Sequence, residues 1–245
     1  MTRIIGTTAI IGAGDPMLVD ESTPTHELGE KVHTSDGRAF RYVRVGSGAA
    51  LVIGNVLQSP AEDTGDQNIA AVATAVGSMT VTTGTMTVTA NQYAGGFMCV
   101  TVTPGLGEYY KIASHAAFSG AAATFTLEEP IRTALTSSTR LDFVPNIYNG
   151  VIQNPASASG TVVGVAVNDI AASNYGWIQV TGPCPVLTQA SSGNASVGGL
   201  VVASNGTAGA VEIAASASTE AQAPVGIAMT GTSVGETNMF RLIID

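Results

Sequence analysis

MTVTTGTMTVTAN, Met79 to Asn91, alternates apolar and hydroxyl side chains on both sides of Thr83-Gly84 and carries no charge. Alternation with period two is the mark of a strand buried on one face. A Thr-Gly step between two such runs reads as a turn, so the stretch predicts a pair of strands whose outward face is threonine: Thr80, Thr82, Thr85 and Thr87. Soluble strands usually turn lysine and glutamate to water. Here the whole run from Gln67 to Gly107 lacks Asp, Glu, Lys and Arg, and so does the run from Ile170 to Val211.

The rest of the chain has the same character. Charged residues make up 11% of the 245 residues and aromatics 5%, against roughly 25% charged in an average soluble domain. A chain of this length buries roughly three quarters of its unfolded surface, enough for one large β domain or two smaller ones. A folded surface with so little mixed charge is expected to be covered by partners. The charges present sum to −9, with a pI near 4.6. Phosphate backbones would be repelled, which argues against a nucleic-acid ligand.

The N-terminus, MTRIIGTTAIIGAGDP, is broken by Gly6, Thr7, Thr8 and Gly12, and so lacks the continuous apolar core of a signal peptide. No run approaches the ~18 apolar residues of a membrane span. Cys99 and Cys184, far apart in strand-like contexts, read as small buried hydrophobes rather than a disulfide.

Residues 1–30 combine the Ile4-Ile5 and Ile10-Ile11 pairs with Gly, Pro and scattered acids. Without periodicity of their own they are expected to form an extended arm, the isoleucines serving as contacts to a partner. Asp36-Gly37 between Val32 and Phe40–Val45 predicts a hairpin. Ile69, Val72, Ala73 and Val76, spaced as on a helix behind Asp66 and Asn68, predict one longer helix. Strands are expected at Met79–Thr89, Phe97–Thr103, Tyr109–Ala113, Ala123–Leu127 and Arg140–Val144. EEPIRTAL, with Pro130 in first position, reads as one helical turn.

The C-terminal part repeats itself. Gly164-Val165-Ala166 matches Gly226-Ile227-Ala228, and Trp177–Val180 matches Phe240–Ile243, each copy reading as strand, loop of small residues, strand. The expected fold is all-β: a Greek-key-like barrel or sandwich from residues 31–60 and 149–245, with 61–148 inserted as a second β-rich subdomain.

Motifs that carry chemistry are incomplete. IIGAGDP has Met17 where a dinucleotide loop needs its third glycine, and HELGE has Glu30 where a zinc helix needs its second histidine. Glu62–Asn68 offers oxygen ligands for a cation, but its glycine comes too early for an EF-hand and the distal glutamate is missing. Lys31, His33, Arg38, Arg41 and Arg44 cannot form one basic stripe, because Arg41 and Arg44 point to opposite faces of a strand. They are expected to pair with acidic groups. No G-x-S-x-G occurs and the histidines have no triad context. The expectation is no enzyme activity, no cofactor and no metal.

TANQYAGGFMCVTVTPGLGEYYKIASH, VPNIYNGVIQNP, VGVAVNDIAASNYGWIQVTGPCPVL and PVGIAMTGTSVGETNMFRLIID together resemble β-rich virion structural proteins of tailed bacteriophages, head decoration or cement proteins in particular. The positions that carry the resemblance are Gly164, Val165, Ala166, Trp177 and Val180, then Gly226, Ile227, Ala228, Phe240 and Ile243. It implies a non-enzymatic protein made in the host cytoplasm and placed on the outer surface of the capsid. Its partners would be the major capsid protein lattice and copies of itself, with a trimer expected at lattice three-fold positions. Neither membrane nor nucleic acid would be a partner. The same Gly- and Thr-rich composition also suits a structural or receptor-binding module of a phage tail fibre or spike, though long trimeric fibres show stricter short repeats.

Overall fold

The computed structural model describes Ile10–Ile11 and residues 17–189, 195–214, 223–231, 233 and 235–245. Among these the chain is all-β, with one 3-10 turn, Thr64–Asp66, and no α-helix. It divides into two compact units, Met1–Ala61 with Ile147–Asp245, and Glu62–Asn146. The first unit begins with β1 (Ile10–Ile11), β2 (Lys31–Thr34), β3 (Ala39–Val45) and β4 (Val56–Gln58). The second holds β5 (Ile69–Ala70), β6 (Thr80–Val88), β7 (Phe97–Val102), β8 (Tyr109–His115), β9 (Phe118–Leu127) and β10 (Arg140–Val144). The first resumes with β11 (Asn149–Gln153), β12 (Val162–Ala166), β13 (Tyr175–Leu187), β14 (Leu200–Ala203), β15 (Val211–Ile213), β16 (Pro224–Ala228) and β17 (Thr237–Ile243).

In the first unit, β3, β11, β4, β12 and β13 pair in that order and β13 returns to β3, closing a ring. Val43, Val45, Leu57, Val151, Val163 and Ile178 pack together within one core cluster of these strands. β13 is thirteen residues long and outlasts this ring. Thr181 pairs with Ala39 of β3 and also with Ile243 of β17. Beyond it, β13 runs beside β17, then β16, β14 and β15 follow, and a bridge from Val211 to Thr188 brings the order back to the end of β13. Cys184, Val186, Val201, Val225, Phe240 and Leu242 form the core of this second ring.

The internal repeat lies in corresponding hairpins. Ala166 faces Ile178 across β12 and β13, and Ala228 faces Phe240 across β16 and β17. Ile178, not Trp177, is therefore the counterpart of Phe240, one residue from the match expected in the sequence. Inward position decides this: Ile178 and Phe240 each belong to the core of their own ring, whereas Trp177 points to the other side.

On that other side lies the segment before β2. Met17, Val32, Phe40, Tyr42 and Trp177 form a cluster, with Val19 and Leu28 packed against it. Glu21 and Tyr175 exchange backbone hydrogen bonds of 2.9 and 2.8 Å. The Glu21 carboxylate also accepts from the Tyr42 hydroxyl at 2.6 Å. The expected arm of residues 1–30 is thus corrected from residue 17 onward: this part is a strap on its own unit, because Met17 and Leu28 supply apolar surface that the Tyr42–Trp177 face needs.

In the second unit β5, β10, β7, β8, β9 and β6 form one sheet. It closes where Ala71 bridges Thr83 and Val72 N–H donates to Thr82 O at 2.8 Å. Val81, Met98, Ile112, Phe125, Leu141 and Phe143 are among its core residues. The hairpin expected at Thr83-Gly84 is not one. Thr80–Val88 is a single strand with a β-bulge, since Thr82 faces Thr124 while Thr85 faces Ala122. The extra residue moves the inward positions from Val81 and Thr83 to Met86 and Val88. A turn and a bulge both reset the alternation, and the sequence pattern alone does not separate them.

The expected helix at 69–76 is absent as well. Asn68 has φ 57°, outside the right-handed region. Ile69 and Ala70 then pair with β10, and Ala71 N–H donates to Thr139 O at 3.1 Å, so these backbone groups serve neighbouring strands. EEPIRTAL is likewise not helical: the N–H of Ile131 donates to Ser78 O and that of Leu135 to Thr74 O. The spacing of Ile131 and Leu135 reflects burial of both in the barrel core.

Candidate functional site

The residues expected to meet a partner fall in two places. Ile10 and Ile11 form β1, parallel to β2 with Ile10 opposite His33. Ile4 and Ile5 lie outside the described residues. Thr80, Thr85 and Thr87 stand exposed on β6 and Thr82 is half-buried. Because β6 is one strand and not two, the outward threonines form a single file, and their neighbours come from β9. Thr80 faces Thr126, Thr82 faces Thr124, Thr85 faces Ala122 and Thr87 faces Ser119. The hydroxyls of Thr82 and Thr124 are 3.0 Å apart.

β9 was expected in part, as the strand Ala123–Leu127, but not as a partner of the threonine face, although its FSGAAATFTL is as free of charge as β6. The signal was available in Thr124-Phe-Thr126, which repeats the hydroxyl–apolar alternation. Exposed apolar residues adjoin the face: Met79 is 43% and Val72 45% accessible. Val72 lies directly beside Thr82 through its main-chain bond. On β7 and β8 Phe97 and Tyr109 are also exposed, with ring centroids 5.9 Å apart.

Most of the groups weighed for chemistry are engaged by the protein itself. His26 and Glu30 pair at 3.2 Å, and the His26 ring lies 5.2 Å from Tyr42 and 5.0 Å from Trp177. Asp63 caps the 3-10 turn by accepting from Gly65 N–H at 3.0 Å. Asp66 is buried and accepts from the Tyr93 hydroxyl, and Asn68 N–H goes to Asp142. Among the described residues no three His, Cys, Asp or Glu side chains are grouped to hold a metal ion. His115 is buried: Nε2 accepts from Tyr93 N–H at 3.0 Å and Nδ1 faces Ala116 O at 2.9 Å.

Lys31 of β2 and Arg41 of β3 share one acidic partner. Lys31 Nζ and Arg41 Nη2 reach the two Asp245 carboxylate oxygens at 3.3 and 2.5 Å. Burial acts to raise the Asp245 carboxyl, but the hydrogen bonds and charges of Arg41 and Lys31 outweigh it and hold the group below its ordinary range. Arg38 pairs with Asp36 at 2.9 Å. Three of the five basic residues, Lys31, Arg38 and Arg41, are thus paired within the chain, and Arg44 stands exposed on β3.

A cleft of about 740 Å³ opens in the first unit, with Asn154, Ser157, Gly160, Ser204 and Asn205 among its lining. Its described lining contains no acid, base or aromatic ring. The polar side chains it offers are amides and hydroxyls. Comparison with protein-family models, with curated proteins and with solved structures finds no match.

Proposed function

We propose that this chain is a non-enzymatic structural protein of a bacteriophage virion, bound to the outer surface of the capsid, which it decorates and stabilises. Support comes from the resemblance in the strand motifs and from one feature of the molecule: an outward strand face, β6 with β9, that bears hydroxyls and methyls but no charge. A protein assembled on a lattice is held through many modest contacts, to neighbouring copies as well as to the shell. Threonine suits them because its hydroxyl satisfies polar groups on either side without the desolvation cost of burying an ion. The net charge of −9 on the whole chain keeps such a protein from adhering to packaged DNA.

The test is co-sedimentation of the purified chain with purified capsids that lack it. Saturable binding at a fixed ratio to the major capsid protein, together with greater resistance of the decorated capsids to heat or chelation, is the expected result. Absence of binding at concentrations well above micromolar overturns the proposal.

A further inference from the structure

Resting on the assembly role proposed above, we infer that the β6–β9 face is covered by the same face of a second copy of this chain. A hydroxyl both donates and accepts, so a file of threonines can meet itself across a two-fold axis. Carboxylates or amines placed there would repel their own copies. The Thr82–Thr124 contact of 3.0 Å already displays, within one chain, the pairing that two copies would make between them.

Charge selects the same occupant. Each copy carries −9 overall, so two copies repel on most approaches. They repel least where neither strand contributes an ion, and β6 and β9 contribute none. A strongly charged partner would find nothing to pair with here and would leave its own ions buried unpaired. Met79 and Val72, exposed beside Thr80 and Thr82, supply at the edge of the face the apolar surface that hydroxyls alone lack.

Size sets the strength. Nine residues of β6 extend about 30 Å, and two strands with their side chains are about 15 Å wide. That area falls below the ~800 Å² per partner of a standard stable interface. A face of that size suits a weak association, expected in the micromolar range, between copies that are also held by a lattice.

The experiment is sedimentation equilibrium of the full chain across a dilution series, with Ala122→Glu and Thr124→Lys as variants and Thr101→Lys on β7 as control. All are exposed strand positions. Wild type and control should self-associate in the micromolar range, and each face variant alone should associate at least tenfold more weakly. Mixing the Glu and Lys variants should restore association, which a folding defect would not allow. A wild type that stays at the monomer mass of 24.6 kDa overturns the inference, and so do face variants that associate like wild type. Capsid co-sedimentation keeps the two proposals apart: a wild type that self-associates but binds no capsid leaves this inference standing, and one that binds capsids as a monomer refutes it alone.

Discussion

The phenol of Tyr93 donates a 2.5 Å hydrogen bond to Oδ2 of Asp66, and both residues are buried in the second unit. Burial pushes the Asp66 carboxyl above its ordinary value, and the Tyr93 bond only partly opposes this. The tyrosine hydroxyl is itself raised, first by burial and then by its bond to Asp66. A carboxyl raised in the folded state stabilises fully below its unfolded value, near 3.8, and loses that contribution as pH rises through the folded value. Asp66→Asn keeps an acceptor and removes the charge. It should stabilise the second unit by about 1 kcal/mol at pH 7, with the gain fading below pH ~4. Tyr93→Phe leaves the carboxylate without its donor and should cost about 1–3 kcal/mol at neutral pH. Thermal unfolding followed by circular dichroism between pH 3.5 and 8 checks both.

Gly164 and Gly226, the first residues of the repeated motif, allow their strands to approach a neighbour closely. A Cβ on Gly226 would stand 2.6 Å from the carbonyl oxygen of Arg241, which is backbone and cannot turn away. On Gly164 it would meet Ile178 Cδ1 at 2.7 Å, the far end of a side chain, with Gln179 O next at 3.0 Å. Gly226→Ala should therefore destabilise the first unit by about 2–3 kcal/mol, and Gly164→Ala by about 1–2 kcal/mol. Denaturant midpoints of the two variants should fall in that order. The reverse order would mean that the Ile178 side chain is the more rigid obstacle.

Burial pushes the Cys184 thiol up to about 12, and Cys99 is raised by burial and then by the charge of Asp142. Both are free thiols. A thiol so raised holds little of the reactive thiolate at pH 8. A disulfide-exchange reagent should titrate less than one thiol promptly from the native protein, Cys99 before Cys184, and two once guanidinium has unfolded it.

The strap over Tyr42 and Trp177 makes a third kind of prediction, because Trp177 is the one tryptophan of the chain. Removing residues 2–28 takes away Met17, Val19 and Leu28, which pack on its cluster. The emission of Trp177 should shift to longer wavelength and the first unit should lose about 2–5 kcal/mol. Met17→Ala alone should reproduce part of both effects. Unchanged emission in the truncated protein would show that the strap contributes no cover.

How much of this was legible in the sequence can be told residue by residue. The all-β class was, because alternation in stretches such as Phe97–Val102 and Tyr109–His115 leaves few other readings. So was the Asp36-Gly37 turn, where Gly37 takes φ 85° and Thr34 N–H bonds to Arg38 O. The bulge at Thr83-Gly84 was not, since its effect on the pattern is that of a turn. Nor was the strap: whether Met17 and Leu28 fold back depends on Tyr42 and Trp177, which come from two strands far apart in the chain. Of the candidate face, the β6 half could be read from its threonines. The β9 half was signalled by Thr124-Phe125-Thr126, but its place beside β6 required the pairing of Thr82 with Thr124, which only the register supplies.

β13 is the common wall of both rings of the first unit, lending Tyr175–Thr181 to one and Thr181–Leu187 to the other. The repeated hairpins are therefore not structurally separable modules. Disturbing that wall at Thr181, where both sets of pairs meet, should loosen the two rings together, so the first unit is expected to melt as one cooperative block.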